Sequence, residues 1–365
     1  MKKILFHLNT LDQGGTERVV SNLANQFAGT DYNVIIATEW YGEKEFILNP
    51  LIKRVHVGLK DVDEKKGRLT KVMLRIKYLR ILIKSEKPDI VISFNRNENY
   101  RALVAAFGKL VPVIISTRND PAKDYGSLIQ KILISFLFPK ATGCVFQTAE
   151  QQSFFPAKIR QKSRVIFNPL NPKYIHVAPP LKRNKEIVHS SRLEERKNQT
   201  GIINTLIRIH NDYPDYILKI YGNNSNDNTK KKLENIIAAN KAGDYIKLMG
   251  GSDNLERELV NASLYIYNSD WDGMPNAMME AMALGLPVIS TDCPCGGPAE
   301  FITDGINGLL IPVRDDIALE KAVRRLLDDP DYAEKLGQAA RKISEKCNTK
   351  AVAAQWKDYI ESVIN

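Results

Sequence analysis

The sequence predicts an α/β protein built as two doubly wound parallel-sheet domains in tandem. Short apolar runs alternate with longer amphipathic stretches along almost the whole chain. That is the pattern of βαβ units whose sheet is covered on both faces. The alternation halts once, at 169–184, a stretch rich in proline and without periodicity. A length of 365 residues also suits two domains. The expected division is a first domain at 1–168, a linker at 169–184 and a second domain at 185–349. A last helix, about 350–365, is expected to pack back on the first domain.

Each element follows from its local pattern. "KKILFHLN" is a short apolar run ending at turn residues, hence a buried strand. "TLDQGG" is a loop. "TERVVSNLANQFAG" is a helix, with Thr16 expected as N-cap, Val19, Val20, Leu23, Ala24 and Phe27 on one face, and Gly29 as terminator. "YNVIIATEW", "DIVISF", "PVIISTR" and "TGCVFQT" read as strands. Helices are expected between them at "KVMLRIKYLRILIKSEK", "RALVAAFGKL" and "SLIQKILISFLFPKA". After the pause, strands "EIVHSS", "YILKIYG", "YIKLMG", "LYIYNS", "PVIST" and "GLLIPV" alternate with helices, including a short one at "GPAEFI" with Pro298 in its first turn. Ligands of open α/β sheets bind beyond the carboxyl ends of the strands. Every loop after a strand is therefore a site candidate, and a cleft is expected between the domains.

Bulk properties narrow the setting. No apolar run approaches about 18 uncharged residues, so no membrane-crossing helix is expected. Met1, Lys2 and Lys3 lead directly into "ILFHLN", too short for the core of a secretory leader. With four cysteines, that favours a reducing cytoplasm. The net charge of +10 is one-sided. Through Leu170 there are 27 lysines and arginines against 15 aspartates and glutamates, and beyond it 25 against 27. A basic first half suits an anionic partner there: a membrane surface, a phosphorylated substrate or a nucleic acid. A solvated surface explains the same counts. Nucleic acid is disfavoured, because the charge is not interleaved with aromatics and no nucleic-acid motif is present.

Three loops carry candidate chemistry. Gly14-Gly15 sits between the first strand and helix, where backbone N–H groups and the helix dipole attract an anion. It fits neither the dinucleotide nor the ATP glycine fingerprint, and a ligand-free turn has the same sequence. "HSSRLEERKNQT" places Arg192 and Lys197 just past a strand, as a diphosphate requires. Exposed surface charges would look alike. In "NSDWDGMPNAMMEAMALGLPVIS", Asp272 lies in the loop before a helix and Glu280 more than a turn inside it. Pro275 is expected in the first helical turn and Gly285 just past the end. Amides at 273–276 would hold hydroxyls or an oxyanion, and the two carboxylates would accept from sugar hydroxyls. The alternative is a metal held by Asp270 and Asp272, which lacks a third ligand. Cys293 and Cys295 fail as a zinc site for want of a second pair.

Together, "GGTERVV", "SSRLEERKN" and "SDWDGMPNAMMEAMALGLPVISTDCPCGGPAEFI…DGINGLLIPV" resemble the family 4 glycosyltransferases, retaining enzymes of the GT-B fold: two Rossmann-like domains facing a central cleft. The resemblance implies that Gly15 lies near the donor phosphates and that Arg192 and Lys197 bind the diphosphate. It implies that Glu280 binds the ribose, and that Asp272 with Gly273, Met274, Pro275 and Asn276 holds the transferred sugar. Gly222, Met249 and Gly250 would border the base. Two departures stand out. Asp272 occupies a position where many members have glutamate, and the loop that often carries a histidine reads Arg118-Asn119-Asp120. Arg118 and Asn119 are candidates to face the acceptor or sugar, and Asp120 is an ordinary cap before Pro121.

The expected activity is transfer of a hexose or N-acetylhexosamine from a nucleotide-diphosphate sugar, UDP-sugar foremost, to an acceptor hydroxyl. The resemblance implies retention and independence of metal; no cofactor is expected. The basic first half suits a lipid-linked saccharide acceptor in surface-polysaccharide assembly. The protein would then lie peripherally on the inner face of the cytoplasmic membrane. Leu69, Val72, Ile76, Leu79 and Ile83 form an apolar stripe within the basic helix, a pattern that a core-packed helix with solvated lysines explains as well or better. An epimerase or hydrolase of the same fold is the alternative.

Overall fold

The computed structural model describes residues 1–12, 14–30, 32–108, 111–225 and 227–365. The chain forms two compact units, Met1–Pro169 with Thr349–Asn365, and Leu170–Asn348.

The first unit holds a seven-stranded sheet: β1 (Lys2–Leu8), β2 (Tyr32–Thr38), β3 (Lys53–His56), β4 (Ile90–Phe94), β5 (Val113–Ser116), β6 (Gly143–Phe146) and β7 (Ser163–Val165). Their order is β3-β2-β1-β4-β5-β6-β7, and every pairing is parallel. One face is covered by helices Gly15–Phe27 and Thr349–Ile364, which bury Val19, Val20, Leu23, Phe27, Val352, Trp356 and Ile360. On the other face Leu79, Leu82, Ile83, Leu103, Ile134 and Phe138 pack against Leu5, Val91 and Ile115.

The second unit repeats the plan with six strands: β8 (Asn184–Ser190), β9 (Ile217–Tyr221), β10 (Ile246–Gly250), β11 (Ala262–Tyr267), β12 (Val288–Thr291) and β13 (Leu309–Ile311). The order is β10-β9-β8-β11-β12-β13, again wholly parallel. In both sheets the order reverses beside the first strand, between β1 and β4 and between β8 and β11. Crevices open at such a switch point because successive crossovers leave to opposite faces.

Several local expectations change. Strand β3 escapes the sequence pattern because "KRVH" is a four-residue edge strand with charges on both faces. Gly14, not Thr16, is the N-cap of its helix. The helix expected at "RALVAAFGKL" spans Arg96–Ala106, and Lys109 and Leu110 lie outside the described residues, as does Gln13 of "TLDQGG". The stripe on helix Arg68–Glu86 is buried only at its carboxyl half, through Leu79 and Ile83; Leu69 is 84% exposed and Val72 36%. From Leu170 on, the stretch expected as a linker falls in the second unit. It contains the helical turn Pro172–Ile175 with Tyr174 buried, and the Leu170 N–H donates to the Cys347 carbonyl at 2.7 Å. "GPAEFI" is a run of turns, not a helix, although the Ile302 N–H reaches the Pro298 carbonyl at 2.9 Å.

Candidate functional site

The switch point of the second sheet brings together the two loops that the sequence singles out. Beyond β8 the chain enters 191–198; beyond β11 it enters 268–275. Lys197 is buried, and its Nζ donates to Tyr267 Oη at 3.0 Å and pairs with Asp272 Oδ2. Tyr267 Oη also donates to Asp272 Oδ2, and the Gly273 N–H donates to Oδ1 at 2.8 Å. Burial pushes the Asp272 carboxyl up, but the Lys197 and Arg196 charges outweigh it, and its pKa falls to about 2. Burial draws the Lys197 amine below its usual value, and Asp272 opposes that shift. Asp272 is therefore ionised at neutral pH, against the Lys197 amine.

Around this pair the loop is held from all sides. Glu194 bridges Arg192 at 2.9 Å and Arg196 at 2.8 Å. Arg192 is mostly exposed, whereas Arg196 stacks over Trp271 and lies 3.7 Å from Asp272 Oδ1. Underneath, the buried His189 ring bonds to the Ile266 carbonyl at 2.8 Å and to Ser191 Oγ at 2.7 Å. Gln199 Nε2 donates to Ser191 Oγ and to the Arg192 carbonyl. Burial, chiefly, lowers the His189 pKa to about 4, so the ring is a neutral strut. Arg196, Tyr267, His189 and Gln199 escape sequence reasoning because their roles depend on pairings between β8 and β11 that no local pattern encodes.

Gly222 shows why backbone shape matters here. Its φ is +153°, and an added Cβ would sit 1.8 Å from the Ser191 carbonyl oxygen. Only glycine lets the loop after β9 lie against the loop after β8. The Gly222 N–H donates to the Gly250 carbonyl at 2.7 Å. Gly222, Met249 and Gly250 thus line the carboxyl ends of β9 and β10, on the same edge as Arg192.

Helix Asn276–Ala283 starts at this edge. Pro275 is its N-cap rather than its first residue, and no side chain caps the first turn. Gly285 follows the helix with φ +75°, as a left-handed C′ residue should. Glu280 is buried; burial chiefly, and the Glu280 charge in addition, raise the pKa of Tyr265, whose hydroxyl donates to the Ser190 carbonyl at the end of β8. The loop at 293–297 closes over the helix start. The Asp272 N–H donates to the Pro294 carbonyl at 2.7 Å and the Cys295 N–H to the Asp272 carbonyl at 3.0 Å. A Cβ on Gly297 would meet the Gly273 carbonyl oxygen at 2.2 Å. Asp270 points elsewhere: Arg314 holds both of its oxygens, with Nε at 2.6 Å from Oδ1. The two carboxylates of Asp270-Trp271-Asp272 therefore face separate cations. Among the described residues no group of three His, Cys, Asp or Glu side chains stands together as a metal site.

The remaining sequence candidates lie in the first unit. Gly15 is exposed and begins helix Gly15–Phe27. Arg118 is buried over the Phe94 and Trp356 rings, with Nη1 2.9 Å from Asn168 Oδ1, and burial lowers its pKa to about 9. Its Nε and Nη2 atoms have no acceptor among the described residues. Asn119 is exposed, and Asp120 caps helix Pro121–Tyr125 through the Ala122 N–H at 2.8 Å.

Comparison with known proteins now decides the family. The model described as "Glycosyltransferase Family 4" matches residues 13–174, and the one described as "Glycosyl transferases group 1" matches 173–343. The chain belongs to the family 4 glycosyltransferases. An uncharacterised glycosyltransferase of Methanocaldococcus jannaschii is 26% identical over 264 residues, covering 65% of this chain and 63% of that protein. Less than two thirds of that relative is therefore spanned. A Campylobacter jejuni serotype O:2 protein named GalNAc-alpha-(1->4)-GalNAc-alpha-(1->3)-diNAcBac-PP-undecaprenol alpha-1,4-N-acetyl-D-galactosaminyltransferase is 22% identical over 367 residues, covering 100% of both chains. The structure of Anabaena HepE in complex with UDP and glucose superposes with a TM-score of 0.84 at 16% identity, covering 99% of this chain and 100% of that one. This glycosyltransferase therefore has the GT-B fold, each unit contributing one Rossmann-like sheet. No helix among its described residues is long and apolar enough to cross a membrane.

Proposed function

We propose that this glycosyltransferase moves a hexose or N-acetylhexosamine from a UDP-sugar to the hydroxyl of a lipid-linked saccharide, with retention and without a metal. The observation that carries the reading is the cluster of Arg192, Arg196 and Lys197 at the switch point, beside an uncapped helix start. Arg192, the most exposed of the three, is placed to answer the charge that a leaving diphosphate develops. Arg192, the exposed member, swings to the phosphates, and Lys197 meets them from below. The first-turn amides of helix Asn276–Ala283 and Asp272 position the sugar hydroxyls, and Glu280 accepts from the ribose diol. The bond from the anomeric carbon to the diphosphate oxygen breaks, and the acceptor oxygen bonds to the same face. The acceptor proton passes to the departing phosphate oxygen.

The engagement of Asp270 by Arg314 and of Asp272 by Lys197 favours metal independence, because each carboxylate already has a cation. HepE, of the same fold, binds UDP and glucose in its structure, and the Campylobacter relative is named for an undecaprenyl-diphosphate saccharide. Peripheral attachment to the inner face of the cytoplasmic membrane is supported by helix Leu128–Leu137. It exposes Leu128, Ile129, Ile132 and Phe136 beside Lys131 and Lys140 and contains no acidic residue.

Calorimetric titration with UDP, in Mg²⁺ and in EDTA, tests the reading. Binding that survives EDTA and weakens about tenfold in Glu280→Ala, on the order of 1.4 kcal/mol, is expected. Binding abolished by EDTA would return the metal to Asp270 and Asp272, and no binding at all would remove the donor assignment.

A further inference from the structure

Tyr267 is the last residue of β11, an interior strand of the second sheet, and is 2% exposed. It stands between the two loops of the candidate site. Lys197 ends the short helical turn Glu195–Lys197 after β8, and Asp272 lies in the loop after β11. Both side chains reach the same hydroxyl. Lys197 Nζ donates to Tyr267 Oη at 3.0 Å and lies 5.1 Å from the ring centroid. Tyr267 Oη donates to Asp272 Oδ2, which also takes the Lys197 ammonium. A site on loops is only as exact as the rigid element that holds it, and here that element is the end of a central strand.

The direction of each bond follows from the groups. Burial and the Asp272 charge push the Tyr267 hydroxyl well above its usual pKa, so it keeps its proton. Its one hydrogen goes to Asp272, and a lone pair receives Lys197. An ammonium has three donors. Two go to Tyr267 and Asp272, and the third can meet a phosphate oxygen without breaking either bond. The carboxylate oxygens divide their use in the same way. Oδ2 takes two donors, which fills its lone-pair sites. Oδ1 takes the Gly273 N–H at 2.8 Å, with Arg196 Nη1 at 3.7 Å, and has room for a hydroxyl donor. The Asp272 backbone is held as well, its N–H on the Pro294 carbonyl and its carbonyl on the Cys295 N–H. Its side chain keeps 19% of its surface, against 9% for Lys197, so the carboxylate is the more open of the two.

We propose that Tyr267 is a positioning residue of the donor site: its hydroxyl joins the phosphate-facing lysine to the sugar-facing carboxylate, so that Asp272 Oδ1 reads a sugar hydroxyl in register with the diphosphate that Lys197 holds. The roles of Lys197 and Asp272 rest on the proposed function; the three-way bonding among them and Tyr267 does not. Buried as it is, Tyr267 acts only through these two partners. Loss of its hydroxyl leaves Lys197 and Asp272 paired with each other, so the charge balance and the fold survive. What is lost is the aim of Oδ1, and a misplacement of about 1 Å costs on the order of a hundredfold in rate. The ligand that satisfies the whole arrangement is a nucleoside diphosphate with its sugar attached, rather than either part alone.

Tyr267→Phe tests this in the full chain. UDP, UDP-glucose, UDP-galactose, UDP-N-acetylglucosamine and UDP-N-acetylgalactosamine are titrated by calorimetry against the native protein and the variant. The quantity read is the affinity of the tightest UDP-sugar divided by that of UDP. In the variant, UDP affinity is expected to change less than about threefold while that ratio falls at least about fivefold. Arg192→Ala, which removes a phosphate contact outside the Tyr267 bonds, is expected to weaken UDP and the UDP-sugars alike and to leave the ratio as it was. Equal weakening of UDP and the UDP-sugars by Tyr267→Phe would reduce the hydroxyl to a support for the loop and overturns the proposal. An unchanged ratio overturns it, as does a native protein that binds UDP and rejects all the UDP-sugars. A variant that fails to fold overturns it too, because Lys197 and Asp272 would then not suffice for each other. A native protein that does not bind UDP removes the donor reading instead.

Discussion

Replacing Asp272 with asparagine removes the counter-charge of a buried lysine while preserving the side-chain shape. A carboxyl pKa lowered from 3.8 to about 2 corresponds to roughly 2.5 kcal/mol of stability, at about 1.36 kcal/mol per pH unit. Because the folded-state pKa is depressed, that stability is fully present above pH 3.8 and is lost as pH falls through about 2. The variant also strands the Lys197 amine, and breaking a buried pair costs about 3–5 kcal/mol. The Asp272 side chain keeps 19% of its surface, so solvent relieves part of this, and about 3 kcal/mol is the expected loss at pH 7. With two units in the chain, global melting is a poor measure. Amide hydrogen exchange, read by mass spectrometry on peptides covering β8 and β11, reports the opening free energy where the pair sits. Protection there should fall by about 3 kcal/mol, roughly 150-fold in exchange rate, with β1 and β4 unchanged. Asp272→Asn/Lys197→Met should recover more than half of the loss, because no charge is left unpaired. A loss below about 1 kcal/mol, or strict additivity of the two changes, would show that Asp272 and Lys197 are not the coupled pair described.

Three further outcomes follow from the same geometry. Gly222→Ala places a Cβ against the Ser191 carbonyl at 1.8 Å and should weaken UDP binding at least tenfold by displacing the Arg192 loop; unchanged affinity in calorimetry would separate that loop from the donor. Asp270→Asn releases Arg314 from a half-exposed pair and should cost about 1 kcal/mol or less, leaving UDP affinity in EDTA as it was; a large loss would give Asp270 a direct role. His189, with its pKa lowered to about 4, should show no imidazole titration by NMR above pH 5.5. Its depressed pKa means that stability is present above pH 6.5 and is lost as pH falls through about 4; a midpoint near 6.5 would place the ring in solvent.

The parts of this fold that the sequence makes legible are those in which one segment decides its own state. Strand β4, "IVISF", is apolar at nearly every position because both faces of its sheet are covered, and helix Gly15–Phe27 turns Val19, Val20, Leu23, Ala24 and Phe27 to one side because one side is covered. Strand β3 and the turns at 296–301 are invisible for the converse reason. The first is an edge with little to bury, and the second is shaped by Gly297 lying against Gly273, a contact between residues far apart in sequence. The candidate site divides in the same way. Arg192, Lys197, Asp272 and Glu280 announce themselves because charged residues directly after an apolar run, or inside an apolar helix, are anomalous where they stand. What those residues do to one another is not local. Lys197 takes Asp272 only because β11 lies beside β8, and Arg314, just past β13, takes Asp270 because β13 stands two places from β11 in the same sheet; only the sheet order shows that. The resemblance names Asp272 as a sugar ligand, but its oxygens already serve Lys197, Tyr267 and Gly273. On the proposed function a donor sugar would share or displace these partners, and the aspartate, drawn down onto Lys197, is the residue where specificity for that sugar should first be sought.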